Sequence, residues 1–142
     1  MDALLLSEYL YKVRLLVNKK YESSKANLEM SLAEVKLLML LYRSKNYSLQ
    51  TLAMAEYNKV TLAAIMHKLK DLEAKGYVLK ENSVNDQRAK VYTLTAKGIE
   101  FADGIKERID KYNKSLLASF SDSEAKALED ILKKIISFME NN

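Results

Sequence analysis

Apolar residues recur at three- and four-residue spacing along the first part of the chain, which is the pattern of an amphipathic helix. This pattern predicts a first helix between about Asp2 and Asn27. Its apolar face comprises Leu6, Leu10, Val13, Val17 and Tyr21.

Two serines predict where the next helices start. Ser31 and Glu34 form a capping box, in which each side chain satisfies the other's backbone N–H group. The helix behind this box is predicted to bury Val35, Leu38, Met39 and Tyr42. Ser48 is predicted to cap a short third helix, and residues 56–60 are predicted to form a turn. The inward residues of the third helix are predicted to be Leu49, Leu52 and Ala53.

A fourth helix is predicted to follow that turn and to end near Lys75. Its buried stripe comprises Ile65, Leu69 and Leu72. Gly76 then supplies the left-handed conformation that commonly ends a helix.

The pattern changes after Gly76. Residues 77–81 and 91–94 are short runs rich in β-branched and aromatic residues, which are typical of strands. The polar residues 82–90 between them predict a hairpin with a long tip. Thr95 is predicted to cap a long fifth helix, and a second capping box at Ser121 predicts a sixth.

Four helices, a hairpin and two helices predict a mainly α fold with a small β-hairpin, arranged as a winged helix-turn-helix. A helix fits the major groove of DNA, and a hairpin tip can reach the neighbouring minor groove. We expect one domain over residues 1–142. Within it, residues 31–95 would form a DNA-binding lobe, and residues 1–28 and 96–142 would form N- and C-terminal dimerisation helices.

Composition narrows the classes of function. The chain has no cysteine and one histidine, which excludes disulfides and thiolate metal sites. The sequence contains no nucleophile–base pairing, glycine-rich phosphate loop or metal cluster, so we expect no enzymatic activity, no cofactor and no metal. Charges interrupt the N-terminal segment, so neither a secretory signal nor a membrane span is expected, and the cytoplasm is the expected location.

The positive charge is concentrated in the middle of the chain. Between Arg43 and Lys90 there are nine basic and five acidic residues, so this third carries the whole net charge of +4. A basic module between neutral flanks indicates a polyanionic partner. The alternative is an ordinary solvated surface.

From about Leu32 to Gly98 the sequence resembles the MarR family of bacterial transcription regulators. The resemblance rests on residues 72–78, where the recognition helix ends and the wing begins, on the wing-tip signature at 86–90, and on the wing's exit at 94–98. It implies a homodimer that binds double-stranded DNA sequence-specifically and regulates transcription as a repressor. It also implies a small aromatic or anionic effector, bound between the dimer helices and the DNA-binding lobe.

The supporting helix, which precedes the recognition helix, departs from the family's pattern. Counting back from Leu72, the family's leucine–alanine pair falls on Met54–Ala55, whereas the evident pair is Leu52–Ala53. Either the turn is about two residues longer or the supporting helix is shifted.

Matched position by position, the recognition helix would begin after Thr61. Its groove-facing residues would be Leu62, Ala63, Ala64, His67 and Lys68, and Thr61 at its start would also contact DNA. Alanine and leucine methyl groups can pack against thymine methyls, which favours an AT-rich site that is read partly by shape. The alternative is that Leu62 belongs to the core and the alanines are simply good helix formers.

The wing supplies the second predicted contact. Arg88 at its tip can enter the minor groove, and Asp86 can hold the guanidinium in place. Phosphate contacts are predicted for Lys80, Asn82 and Lys90. A further set at the start of the third helix comprises Ser48, Gln50 and Thr51.

The terminal helices have wide apolar stripes that a lone winged helix does not need. A two-fold partner would cover them and would imply a pseudo-palindromic DNA site. The predicted dimerisation residues are Leu5, Leu6, Tyr9, Val13, Leu128, Ile131, Leu132, Ile135 and Phe138. The alternative is that the two ends pack only on each other within one chain.

A second function class also fits the pattern. In it, the chain would be a winged-helix module that binds protein, and the basic middle third would be incidental. The charge between Arg43 and Lys90, with an arginine at the wing tip, favours DNA.

Overall fold

The computed structural model describes residues 1–24, 30–81 and 90–142, and this part contains six α-helices, a short 3₁₀ helix (Lys45–Tyr47) and three short strands. The elements in chain order are α1 (Ala3–Ser24), α2 (Leu32–Arg43), β1 (Ser48–Gln50), α3 (Thr51–Asn58), α4 (Leu62–Ala74), β2 (Val78–Glu81), β3 (Val91–Leu94), α5 (Ala96–Ala118) and α6 (Asp122–Glu140). The predicted mainly α fold with a small hairpin is confirmed. The predicted end of the first helix lies outside the described residues, as does the predicted wing tip.

The chain divides into two units, Met1–Lys106 and Glu107–Asn142. The division into a DNA-binding lobe and dimerisation helices stays a prediction. No helix in the described ranges is long and apolar enough to cross a membrane.

The capping box at the start of α2 is confirmed. The hydroxyl of Ser31 accepts from the Glu34 N–H at 3.2 Å, and the Ser31 N–H donates to the Glu34 carboxylate at 3.1 Å. The Lys75 ammonium, just after α4, lies 3.5 Å from the other oxygen of Glu34. Burial acts to raise the pKa of Glu34, but the Ser31 hydrogen bonds and the Lys75 charge outweigh it and hold the pKa below its ordinary value.

The sheet has one strand more than predicted. Its order is β1-β3-β2, with both pairings antiparallel, so Thr93 lies between Ser48 and Leu79. The prediction that Ser48 caps the third helix is therefore wrong, because Ser48 lies in β1 and its hydroxyl is 2.6 Å from that of Thr93. Gln50 takes the capping position, without a side-chain cap. The predicted turn over residues 56–60 is shorter, because α3 continues to Asn58.

The core of the first unit lies where α2, α3, α4, the sheet and α5 meet. Its buried residues include Val35, Leu38, Leu41, Met54, Ile65, Leu69, Leu72, Tyr92, Leu94, Ala102 and Ile105. The predicted stripe of the fourth helix is confirmed. In α2 the prediction was partly wrong, since Met39 and Tyr42 are half-buried and Leu37, Leu40 and Leu41 are buried instead.

The supporting helix uses the later apolar pair. Met54 and Ala55 are buried in α3, whereas Leu52 is exposed and Ala53 half-buried. Leu49 lies half-buried in β1, so the predicted inward set of the third helix is wrong. The family's pair therefore falls on Met54–Ala55.

Two glycines have specific backbone roles. Gly76 follows α4 with a φ of +84°, the left-handed conformation predicted for it. Gly98 lies in the first turn of α5 against the carbonyl of Tyr77, where an added Cβ would be 2.2 Å from the carbonyl oxygen. The chain can therefore leave the wing and enter α5 along this path only with a residue that lacks a side chain.

Candidate nucleic-acid interface

The turn between α3 and α4 is fixed by the residues at its two ends. Lys59 adopts a left-handed conformation with a φ of 53°, and the Asn58 amide donates to the Met54 carbonyl at 2.9 Å. Thr61 caps α4, and its hydroxyl accepts from the Ala64 N–H at 3.2 Å. The predicted start of this helix at Thr61 is confirmed, whereas the role of α4 as the recognition helix and the DNA contact of Thr61 stay predictions.

The exposed face of α4 lies opposite its buried stripe. Ala63 and His67 are exposed there, while Leu62, Ala64 and Lys68 are half-buried. Lys68 lines a cavity together with Lys36 of α2, so it lies on the flank of the helix that faces α2. Contacts of these five residues with DNA stay predictions.

Sequence reasoning missed Lys70. This residue is exposed on α4 one turn after His67, and a helix shows residues three positions apart on one face. The spacing from His67 could have identified it. Lys70 also lies close enough to the wing for its charge to lower the pKa of Lys90.

Two lysines lie side by side at the base of the wing. Lys80 pairs with Tyr92 across β2 and β3, which places Lys80 and Lys90 on one face of the hairpin. The pKa of Lys90 is lowered, first by a side-chain hydrogen bond with Lys80, then by desolvation and the charges of Lys80 and Lys70. Glu73 acts in the opposite direction. An anion placed beside these crowded ammonium groups would relieve their repulsion.

The other predicted contacts have different outcomes. Thr51 is fully buried, so the prediction that its hydroxyl contacts a phosphate is wrong. Gln50 is exposed, and Ser48 is half-buried with its hydroxyl bonded within the sheet; their DNA contacts stay predictions. Asn82, Asp86 and Arg88 lie outside the described residues.

Apolar side chains stand in solvent along both terminal helices. In α1, Leu6, Tyr9 and Val13 are exposed and Leu5 is half-buried. In α6 the exposed members are Ile131, Leu132 and Phe138, and Leu128 and Ile135 are half-buried. No residue of α6 is buried. Each helix thus carries the exposed apolar surface that an interface with a partner requires.

Comparison with known proteins identifies the family. The model of the family described as "Transcriptional regulator SarA/Rot" matches residues 19–105. The uncharacterized HTH-type transcriptional regulator YdgJ of Bacillus subtilis is 29% identical over 140 residues, which is 95% of this chain and 81% of YdgJ.

Solved structures share the fold. FabT of Streptococcus pneumoniae, solved in complex with DNA, superposes with a TM-score of 0.83 at 21% identity over 99% of each chain. A mutant of E. coli MarR complexed with operator DNA superposes with a TM-score of 0.76 at 20% identity, over 95% of this chain and 99% of MarR. The resemblance to MarR regulators is confirmed in the fold. Because the family model covers more than half of the sequence, the chain belongs to the SarA/Rot family of transcriptional regulators.

Proposed function

We propose that the protein is a homodimeric, sequence-specific regulator that binds double-stranded DNA and represses transcription. The observation that carries the proposal is the juxtaposition of the exposed α4 face with the paired Lys80 and Lys90 at the wing base. A recognition helix in the major groove leaves an adjoining hairpin over the phosphate backbone and the minor groove. FabT and MarR, which share this fold, were solved with DNA bound.

Base contacts would come from the recognition helix and the wing tip. Ala63 and His67 lie on the exposed face of α4, and Lys70 extends that face toward the wing. Alanine methyl groups suit thymine methyls, which supports an AT-rich site. Arg88 at the wing tip would add a minor-groove contact.

The dimer is supported by the apolar surfaces of α1 and α6. A two-fold partner buries the same patch on both copies, and two copies of α4 would then bind a pseudo-palindromic site. Sedimentation velocity at micromolar concentration should show about twice the chain mass of 16.3 kDa. A single species at the chain mass would contradict the dimer.

The protein would act in the cytoplasm, where bacterial DNA is accessible, and without an enzymatic step. An aromatic or anionic effector would tune its affinity for DNA, as the resemblance implies. The match to a family described as transcriptional regulators supports a role in gene regulation without an enzymatic step.

The test is selection of a binding site from random DNA, followed by affinity measurements at several salt concentrations. We expect about a thousandfold loss of affinity between 50 and 200 mM salt, because lysine–phosphate contacts release counterions. Lys80→Gln and Lys90→Gln should each reduce the slope of log affinity against log salt by about 1. Lys114→Gln, an exposed lysine of the second unit, is the matched control. A flat salt response would favour a protein-binding module.

A further inference from the structure

Charged side chains from α4 and from both strands of the wing meet at the wing base. Lys80 lies opposite Tyr92 in the sheet, and Lys90 precedes Tyr92 by two residues, so the two lysines are diagonal neighbours on one face of the hairpin. The charges of Lys70 and Glu73, both on α4, also act on Lys90. These four residues, three lysines and one glutamate, form what we call the wing-base cluster.

Little negative charge offsets the lysines of this cluster. Within the described part of the chain, no carboxylate forms an ion pair with Lys70, Lys80 or Lys90. Glu73 acts to raise the pKa of Lys90, but its influence is smaller than those of Lys80 and Lys70. The cluster therefore attracts a further anion.

Lys90 differs chemically from an ordinary exposed lysine, because its side chain is hydrogen-bonded to that of Lys80. An ammonium group has three donors and no acceptor, so a hydrogen bond between two lysines requires that one of them be the neutral amine. The pKa of Lys90 is lowered, first by this bond, then by desolvation and the charges of Lys80 and Lys70. Lys90 is therefore the acceptor. A neutral lysine amine beside another cation is an activated nucleophile.

The cluster also selects the kind of reagent that this amine would meet. The ammonium groups of Lys80 and Lys70 attract phosphate, as lysines commonly do. An acyl phosphate carries its phosphate directly on a reactive carbonyl carbon. A phosphate held by Lys80 and Lys70 would therefore bring that carbon to the Lys90 amine, and such proximity accelerates a reaction between two groups.

We propose that Lys90 is a modification site at which an acyl phosphate transfers its acyl group to the lysine amine, and that this acylation weakens DNA binding. The second half of the proposal rests on the proposed function.

The transfer is a simple substitution at the carbonyl carbon. The lone pair of the Lys90 Nζ attacks this carbon, and the new C–N bond replaces the C–O bond to the phosphate. The phosphate leaves with the electron pair of the broken bond and takes up the proton that Nζ loses. The products are an N-acyl lysine and hydrogen phosphate. Lys80 is a positioning residue, since its N–H group frees the Lys90 lone pair when it turns to the phosphate.

Acylation would change the charge at the place where the wing base meets DNA. An acylated lysine is an amide, so Lys90 would lose its positive charge and the phosphate contact predicted for it. The phosphates of bound DNA would occupy the same ammonium groups that attract the reagent. DNA should therefore protect Lys90 from acylation, and acylation should oppose DNA binding.

The first experiment uses the free protein without DNA. The protein is incubated with acetyl phosphate, and peptide mass spectrometry gives the acetylation rate of each lysine. We expect Lys90 to react about fivefold faster than Lys114, an exposed lysine of the second unit, because the phosphate is attracted to the cluster. The uncharged thioester N,S-diacetylcysteamine should give a smaller preference. Equal rates at the two lysines with acetyl phosphate, or the same preference with both reagents, would overturn the proposal.

A variant and a pH profile test the role of Lys80. Lys80→Gln should bring the rate at Lys90 close to that at Lys114, whereas Lys114→Gln should leave the rate at Lys90 unchanged. In the folded protein the rate at Lys90 should level off at a lower pH than in urea, because its pKa is lowered by the fold. An unchanged rate in folded Lys80→Gln, or the same pH profile in urea, would overturn the activation of Lys90.

The second experiment compares DNA affinity before and after acetylation. Acetylation should lower the slope of log affinity against log salt by about 1, as expected for Lys90→Gln. The same treatment of Lys90→Gln should change the slope much less. Acetylation of Lys90 that leaves the slope unchanged would overturn the regulatory half and keep the site. Protein that is acetylated at Lys90 but binds no DNA even before treatment would contradict the proposed function instead, so the two failures can be told apart.

Discussion

Helices α4 and α6 both carry an apolar stripe, but the stripe of α4 is buried and that of α6 is largely exposed. In α4, Ile65, Leu69 and Leu72 are buried within the first unit. In α6, Ile131 is 55% exposed and Phe138 is 68% exposed. Most helical stability in proteins comes from packing of the apolar face, so α4 receives its support from its own chain and α6 needs further surface to cover it. Periodicity therefore identifies a helix without identifying what buries it.

Charge separates the two helices as well. Two of the three α6 lysines form ion pairs along the helix, with Lys126–Asp130 at 3.2 Å and Lys133–Glu129 at 2.7 Å. Around α4, Lys70 lies near the crowded lysines of the wing base. The positive charge around α4 is thus available to an anionic partner, whereas the ion pairs partly neutralise the charge on α6.

The largest expected effect tests the close packing of the start of α5 against the backbone of Tyr77. Gly98→Ala should lower the free energy of unfolding by about 3 kcal/mol or more, because the added Cβ would meet the backbone oxygen of Tyr77 at 2.2 Å. Gly76→Ala, where the nearest side-chain atom is 3.8 Å away, should cost about 1 kcal/mol through its positive φ. Urea denaturation followed by circular dichroism measures both. Equal losses would mean that the Gly98 contact relaxes at little cost.

The next effect tests the open surface of α6. Ile131→Asp should weaken the dimer by about 2 kcal/mol, roughly thirtyfold, because it would place a charge in the apolar patch that the predicted dimer interface covers. Lys134→Gln, at an exposed position of the same helix, also lowers the charge by one unit and is the control. Sedimentation equilibrium gives both dissociation constants. A dimer that tolerates Ile131→Asp would place the interface on another face.

A third effect separates DNA contact from stability. Arg88→Ala is expected to weaken operator binding by about 1–3 kcal/mol while the melting temperature stays unchanged, because the sequence predicts Arg88 at the tip of the wing, and an arginine at such a position would contribute little to folding. Asp86→Ala should weaken binding less, because it releases Arg88 without removing a contact. If Arg88→Ala instead melts several degrees lower and its folded fraction binds normally, Arg88 has a structural role.

The smallest effect concerns pH. The folded pKa of Glu34 is lowered, so its stabilisation is fully present above the unfolded pKa of about 4.3 and is lost as pH falls through the folded value. Glu34→Gln should therefore cost on the order of 1 kcal/mol at pH 7 and less at pH 3, because the glutamine keeps part of the capping box. The difference in unfolding free energy between the two proteins at each pH checks the sign. A difference that grows toward acid pH would contradict it.

Local signals made most of the fold predictable. The caps at Ser31, Thr61 and Ser121 lie within three residues of the groups they satisfy, so sequence spacing alone identifies them. The stripe of α4 was likewise predictable, because helical periodicity places Ile65, Leu69 and Leu72 on one face.

Long-range pairing explains what was missed. β1 has three residues, and it is a strand because it pairs with β3, more than forty residues later. A serine just before a helix is typical of an N-cap, so the sequence predicted a capping role for Ser48, which instead lies in β1. The choice between Leu52–Ala53 and Met54–Ala55 depended on the same strand, since β1 sets where α3 begins.

A backbone hydrogen bond joins the first residue of α3 to the wing. The N–H of Thr51 donates to the carbonyl oxygen of Lys90 at 2.9 Å. The first residue of an α-helix ordinarily has no acceptor for its N–H within the helix, and such an amide exchanges quickly with solvent deuterium. In this protein the protection of Thr51 depends on the strand that ends the wing. Its amide should therefore exchange at the rate at which the wing opens. In local unfolding, the first residue of α3 then belongs with the hairpin rather than with the rest of its helix.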